Sequence, residues 1–215
     1  MSAASSLVTA EHFKYIASHT PTEDDFLRDL RGDAHRAGLP AIHIAPEQGG
    51  FMRILLTLMG AKEVVEVGTL AGYSAIWMAR SGARVTTIEL VEKHADFAER
   101  WLKKSDVADR VKLLRGAGKD VLPLLADASK DAAFLDADKA GYPGYLKECL
   151  RIVRPGGLIM VDNAFAFGEL FAKRATDAEV DAVRAFNEIM AKTPGLSGVI
   201  VPIGDGLWVA AREKP

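Results

Sequence analysis

The sequence has little of several things at once: one cysteine in 215 residues, 7% aromatic residues, and no long run of apolar residues or of one charge. A single thiol, Cys149, cannot build a disulfide framework. No stretch approaches the roughly 20 uninterrupted apolar residues that a membrane span requires, and Met1 to Ala10 has no basic segment followed by an apolar core. A cytoplasmic protein with no membrane partner is therefore expected. Its 27 Lys and Arg are interspersed with 29 Asp and Glu, for a net charge of −2, which gives no field to attract nucleic acid or anionic lipid non-specifically. What is present is apolar: 49% hydrophobic residues, too many for a disordered chain. No linker, low-complexity tract or repeat divides the sequence. One domain over 1–215 is expected, with a helical cover over 1–60 and a core over 61–215.

Periodicity sets the elements. Thr22, three residues before Asp25, resembles a capping box, and Phe26, Leu27 and Leu30 give a helix that ends near Gly38. From Glu47 a second helix carries Phe51, Ile54, Leu55, Leu58 and Met59 at helical period and stops at Gly60. Two helices thus precede the first strand, Glu63–Val67. Short apolar runs, most of them containing β-branched residues, recur at Val85–Ile88, Val111–Leu114, Ala132–Leu135 and Leu158–Val161, separated by helical patterns. Strands alternating with helices predict a parallel sheet covered on both faces. Gly198–Ile203 and Leu207–Ala211, joined by Gly204-Asp205-Gly206, predict a terminal antiparallel hairpin. Cys149 falls at helical spacing with Leu146, Leu150 and Val153 and is expected to be a buried core thiol.

Residues that can carry chemistry gather at strand ends. Glu66-Val-Gly-Thr-Leu-Ala-Gly-Tyr-Ser74 leaves the first strand and enters a helix near Tyr73. Gly68 and Gly72 permit a tight turn and close approach of a ligand to the main chain, and Ser74 is placed to face a carboxylate or phosphate. The spacing G-x-x-x-G is not the dinucleotide fingerprint, which disfavours a pyrophosphate cradle. Glu89 ends the second strand about twenty residues later, where an acid either accepts ribose hydroxyls or stands solvated. Asp136 and Asp162-Asn163 leave the carboxyl ends of the fourth and fifth strands. Two carboxylates and an amide carbonyl are hard oxygen ligands suited to Mg²⁺ or another divalent cation such as Mn²⁺ or Ca²⁺; the alternative is that the acids cap the following turns. The five histidines show no zinc-ligand spacing. Lys139 lies three residues past Asp136; beside a metal and partly desolvated, its charged form is disfavoured, which makes it either a usable base or an ordinary ion-pair partner of Asp136 or Asp138.

Taken together, Ile44-Ala-Pro-Glu-Gln-Gly-Gly-Phe51, the Glu66–Ser74 segment, Asp136-Ala-Asp-Lys-Ala-Gly-Tyr142, Arg154-Pro-Gly-Gly-Leu158, Asp162-Asn163 and Pro202-Ile-Gly-Asp-Gly-Leu207 resemble, in the same order, the cation-dependent O-methyltransferases that include the caffeoyl-coenzyme A and catechol enzymes. The resemblance covers almost the whole chain. It implies an α/β, Rossmann-like, doubly wound, mostly parallel seven-stranded sheet with a C-terminal antiparallel hairpin and N-terminal covering helices. It further implies that Ile44, Glu66, Gly68, Ser74, Glu89 and Ala117 surround S-adenosylmethionine with Asp136 close to its amino group, that Asp136, Asp162 and Asn163 hold the cation, and that Lys139 is the base. The implied reaction methylates a hydroxyl of a vicinal dihydroxy aromatic small molecule, and relatives are commonly homodimers. Gly118 stands where some relatives carry a serine beside the adenine. Ala164-Phe-Ala-Phe-Gly168 replaces a segment that contains tryptophan in many relatives, so Phe165 and Phe167 either line an acceptor pocket or pack the loop. Two alternatives accompany this reading. One is methylation of a hydroxylated uridine in tRNA, for which Arg28, Arg31, Arg36, Lys103 and Lys104 would have to form a basic patch facing the site. The other is an NAD-dependent oxidoreductase or a non-catalytic nucleoside-binding module.

Overall fold

The structure, a computed structural model, describes residues 8–20 and 23–214. Three helices precede the sheet: α1 (Ala10–His19), α2 (Asp25–Arg36) and α3 (Pro46–Leu58). The extra helix, α1, buries no residue, and only Phe13 and Ile16 on it are partly covered. Thr22, the expected cap of α2, lies outside the described residues; the cap is Asp24, whose carboxylate accepts the Leu27 N–H at 3.0 Å. Leu27, Leu30 and Ala34 form its buried face.

Helix α3 corrects a second expectation. Its buried stripe is Gln48, Gly49, Met52 and Leu56, whereas Ile54 and Leu58 point to solvent. Gly49 is there because a Cβ would lie 2.6 Å from the Trp77 ring, and Gln48 because it reaches a carboxylate of the site. Phe51, Leu55 and Met59 of the expected stripe do pack, partly buried, against the core, so the buried face is rotated toward Gln48 and Met52 rather than reversed.

The sheet has seven strands: β1 (Glu63–Val67), β2 (Arg84–Glu89), β3 (Val111–Arg115), β4 (Lys130–Leu135), β5 (Val153–Val161), β6 (Leu196–Val201) and β7 (Leu207–Arg212). Their order is β3-β2-β1-β4-β5-β7-β6; the first five are parallel, and β7 is antiparallel to both β5 and β6. The helices between are α4 (Tyr73–Ala79), α5 (Glu92–Leu102), α7 (Tyr142–Ile152) and α8 (Ala178–Lys192). The β3–β4 connection carries only one turn of helix, α6 (Gly118–Val121), and a 3₁₀ turn at Leu122–Leu124, not the full helix expected from the alternation.

Successive residues of each strand enter opposite cores. Val64, Ala132, Phe134 and Met160 pack with α2 to α5, while Val65, Val67, Leu135 and Val161 pack with α7 and α8. Cys149 is fully buried in the second core, and burial pushes its thiol up to about 12, so it is inert packing. Among the described residues no helix is long and apolar enough to cross a membrane.

The register positions the site. Val67 pairs with Ile88 on one side and Leu135 on the other, and Leu135 pairs with Val161. Gly68, Glu89, Asp136 and Asp162 therefore emerge side by side at the carboxyl edge. The strand order reverses between β1 and β4, where open α/β sheets leave a crevice. Gly68 is the tightest point: at φ +98° a Cβ would sit 2.0 Å from the Asp136 carbonyl oxygen. We expect Gly68→Ala to cost about 3 kcal/mol, from a positive φ plus a backbone collision. Urea denaturation measures it, and a loss under about 0.5 kcal/mol would contradict this account.

Candidate active site

A cavity of about 870 Å³ opens over that edge. Of the residues singled out from the sequence, Ile44, Gly68, Ser74, Glu89, Ala117, Asp136, Lys139, Asp162 and Asn163 all line it. Glu66 does not: it lies beneath the floor, wholly buried, accepting hydrogen bonds from the Ser74 hydroxyl and, at 2.6 Å, from the Thr87 hydroxyl. Desolvation pushes the Glu66 carboxyl up to about 8 against the lowering effect of those hydroxyls, with the charges of Asp136 and Glu89 adding to the rise. Ser74 thus lines the cavity while its hydroxyl is hydrogen-bonded to Glu66 beneath the floor.

One arm of the cavity is built around Glu89. Its Oε2 accepts the N–H groups of Thr69 (3.1 Å) and Leu70 (2.8 Å), and its Oε1 accepts that of Val91 (2.8 Å). The carboxylate is 7% exposed and locked in place, rather than a solvated strand end. Ala117, at the start of α6, and Gly118 line the same cavity. The glycine has a steric reason, since a Cβ at 118 would lie 2.6 Å from Val67 Cγ1 and 2.9 Å from the Tyr145 ring. A serine cannot stand there without displacing both. Near α4 the wall is made by Arg31, His43 and Tyr73; burial, and then the Arg31 charge, hold His43 down at about 4, so its ring is neutral.

The other arm gathers the acids. Lys139, 5% exposed, donates to Asp136 Oδ1 at 3.2 Å and to the Tyr142 hydroxyl at 2.7 Å. Both open readings of Lys139 are therefore compatible with its position, for it is an ion-pair partner inside the cavity. Asp162, 7% exposed, accepts from Gln48 Nε2 at 2.8 Å. Its carboxyl is raised from the ordinary range by burial and then by the charge of Asp136. Asn163 has φ +65° and donates its Nδ2 to Asp205 Oδ2 at 3.2 Å, which leaves the amide oxygen for the cavity.

Among the described residues no three His, Cys, Asp or Glu side chains form a metal cluster, so a cation here must use two carboxylates and an amide. That set fits a hard divalent ion: all donors are oxygens, and two acids share one buried cation, Lys139. Phe165 and Phe167 part company. Phe165 packs on the Gly206 backbone of the hairpin turn, whereas Phe167 lines the cavity with its ring 5.9 Å from Lys139 Nζ.

Gln48, Tyr142 and Asp205 were not anticipated as functional. Gln48 carried a signal, a polar residue at a core-facing helix position. Tyr142 stands one helical turn past Lys139. Asp205 had no local chemical signal, because an acid between two glycines is ordinary turn chemistry, although it lies in one of the six segments that carry the resemblance.

Comparison with known proteins follows the same line. The profile of a family described as O-methyltransferase matches residues 17–213. The chain is 36% identical over 193 residues to a catechol O-methyltransferase of Niastella koreensis, covering 87% of each. It is 38% identical over 190 residues to a catechol O-methyltransferase of Mycobacterium tuberculosis, covering 87% of this chain and 86% of that one. Among solved structures it is similar to the O-methyltransferase from Bacillus cereus in complex with SAH, at 33% identity and a TM-score of 0.84, covering 93% of this chain and 96% of the other. It is similar as well to TomG from Streptomyces achromogenes, involved in tomaymycin synthesis and solved with SAM, at 31% identity and a TM-score of 0.83, covering 94% and 95%.

Proposed function

Because the chain belongs to the O-methyltransferase family, we propose that it transfers the methyl group of S-adenosylmethionine to one hydroxyl of a catechol-type small molecule, with a divalent cation in the site. The observation that carries this is the meeting of Asp136, Asp162, Asn163 and Lys139 in one arm of a cavity whose other arm ends at Glu89 and Ala117. The first arm suits a vicinal diol and the second an adenosine. A cytoplasmic location, expected from the sequence, and a homodimeric state, implied by resemblance, belong to the same reading.

S-adenosylmethionine supplies a methyl group activated on a sulfonium, and the cation supplies Lewis acidity that makes an aromatic hydroxyl easier to ionise. The protein does the rest. Glu89, fixed by three backbone N–H groups, has lone pairs left for the ribose hydroxyls. Gly68, Ile44, Ala117 and Ser74 shape the space around the cofactor, and Glu66 supports that wall from beneath through Ser74. Asp136 would lie near the cofactor's amino group and, with Asp162 and the Asn163 carbonyl, would hold the cation. Lys139, acting as the free amine once its own proton has gone to solvent, would take the proton of the attacking hydroxyl while that oxygen bonds the methyl carbon and the S–CH₃ bond breaks with its electron pair left on sulfur. No covalent enzyme intermediate is needed, so the site's contribution is alignment and a fixed electrostatic setting.

The basic patch needed for the tRNA alternative is largely neutralised. Arg28 pairs with Asp25, Arg31 with Glu23, Arg36 with Asp33 and Lys103 with Glu99, and Lys104 lies over the Trp101 ring. This supports a small acceptor.

Labelled S-adenosylmethionine with Mg²⁺ and a panel of catechols, flavonoids, hydroxycinnamoyl thioesters and bulk tRNA tests the reading. Methylation of a diol is expected, falling by about two orders of magnitude in EDTA or on combining Asp162→Ala with Asn163→Ala. Full activity in EDTA would sink the cation; label in tRNA alone would favour the alternative.

A further inference from the structure

We propose that Asp205, in the turn between β6 and β7, is a positioning residue for the acceptor arm: its carboxylate orients the Asn163 amide and fastens the loop that carries Phe167 over the cavity. The proposal rests on the reading of Asn163 as a cation ligand.

The loop after β5 needs such a fastening. Asn163, Ala166 and Phe167 have φ of +65°, +53° and +58°. Each of these conformations costs a non-glycine residue roughly 1 kcal/mol or more and persists only where its surroundings enforce it. Here the enforcing groups belong to the hairpin turn. The Ala164 N–H donates to the Gly206 carbonyl and the Phe165 N–H to the Asp205 carbonyl, both at 2.8 Å. The Asp205 side chain then takes three further donors: Phe167 N–H at 2.7 Å and Asn163 Nδ2 at 3.2 Å on Oδ2, and Gly168 N–H at 3.1 Å on Oδ1. Successive N–H groups converging on one carboxylate form a nest, the arrangement that a positive-φ backbone makes for an anion.

Two consequences follow. With its NH₂ committed to Asp205, the Asn163 amide can present only its oxygen to the cavity, which is the atom a hard cation requires. The same carboxylate holds the backbone of Phe167, whose ring shares the cavity wall with Lys139. One side chain therefore ties the ligand amide to the aromatic wall of the acceptor arm. The glycines on either side make room: a Cβ at Gly204 would lie 2.1 Å from Gln48 Oε1, and one at Gly206 2.8 Å from Phe165.

The test uses Mn²⁺ affinity by electron paramagnetic resonance, acceptor KM and kcat, and S-adenosylmethionine affinity by calorimetry, on wild type, Asp205→Ala, Asn163→Asp and Asn163→Asp combined with Asp205→Asn. Asp205→Ala should weaken Mn²⁺ by about 10–100-fold, the usual effect of removing a ligand's hydrogen-bond partner. It should also raise the acceptor KM several-fold and leave S-adenosylmethionine affinity within about two-fold. Asn163→Asp should weaken Mn²⁺ too, although it adds a carboxylate, because two carboxylates then abut. Adding Asp205→Asn restores a donor–acceptor pair with the roles reversed and should recover about ten-fold. Mn²⁺ affinity and KM within two-fold of wild type in Asp205→Ala, or purely additive losses in the double variant, would overturn the proposal. Wild type that binds no Mn²⁺ would instead overturn the cation reading, and the assignment of Asp205 to the Asn163 amide with it.

Discussion

Replacing Lys139 with methionine is expected to lower kcat by roughly 10³-fold, within the 10²–10⁴-fold range of a lost general base, while Mn²⁺ affinity is kept or increased. The side chain is 5% exposed and its stem is packed, so methionine fills the same space without a cavity. What disappears is the nitrogen that stands 3.2 Å from Asp136 and 2.7 Å from the Tyr142 hydroxyl. A base and a bridge predict different patterns. If Lys139 only neutralised Asp136, its loss would leave two acids facing each other, lower stability, and reduce activity a few-fold through folding alone. If it accepts the proton, turnover collapses while the cation, relieved of a competitor for Asp136, binds at least as well. Alkaline solution supplies an ionised acceptor without help, so the variant's rate should also climb with pH where that of wild type levels off. A loss of less than ten-fold with a parallel pH profile would assign Lys139 to the ion pair.

Tyr142 belongs to the same argument. Its hydroxyl accepts from Lys139 and donates to the Leu135 carbonyl at 3.3 Å, and burial, with the charges of Asp136 and Asp162, raises its pKa well above the ordinary phenol value. It stays a phenol and fixes the direction of the lysine without competing for the proton.

The strand ends were the legible part of this site. Gly68, Glu89, Asp136 and Asp162 each close a short apolar run, and parallel pairing with aligned ends carries such residues to one edge whatever the connections do. The connections were harder: one turn of α6 suffices to return from β3 to β4, and no periodicity announces a helix that short. Residues reaching the site from elsewhere were hidden by their own local roles. Gln48 is a polar residue on the buried face of an otherwise apolar stripe, and its partner Asp162 is 114 residues distant. Asp205 satisfies the turn chemistry of a hairpin, and nothing local couples it to Asn163, 42 residues away. Glu66 was visible as an acid at a strand end, but alternation along β1 faces it into the sheet's covered side, where it serves the wall and not the ligand.

That burial makes Glu66 the source of the second large effect. Its carboxyl is raised from 4.5 to about 8 in the folded protein, chiefly by desolvation. Between those values the folded state holds a proton that the unfolded chain has released, so stability must fall as pH rises through the window. The gap amounts to roughly 5 kcal/mol, fully present below pH 4.5 and lost above pH 8. Glu66→Gln should remove most of this slope: the amide keeps the volume, accepts from one of the two hydroxyls of Ser74 and Thr87, and donates to the other. The variant should therefore be the more stable protein at pH 8.5, with a residual slope of the same sign from Asp162, whose carboxyl is also raised. Urea midpoints at pH 5.5, 7 and 8.5, taken without cofactor or metal, give the comparison. Curves for wild type and variant that run parallel across the three pH values would mean that Glu66 is ionised in the folded state throughout, and that the cofactor wall rests on a buried charge instead of a buried acid.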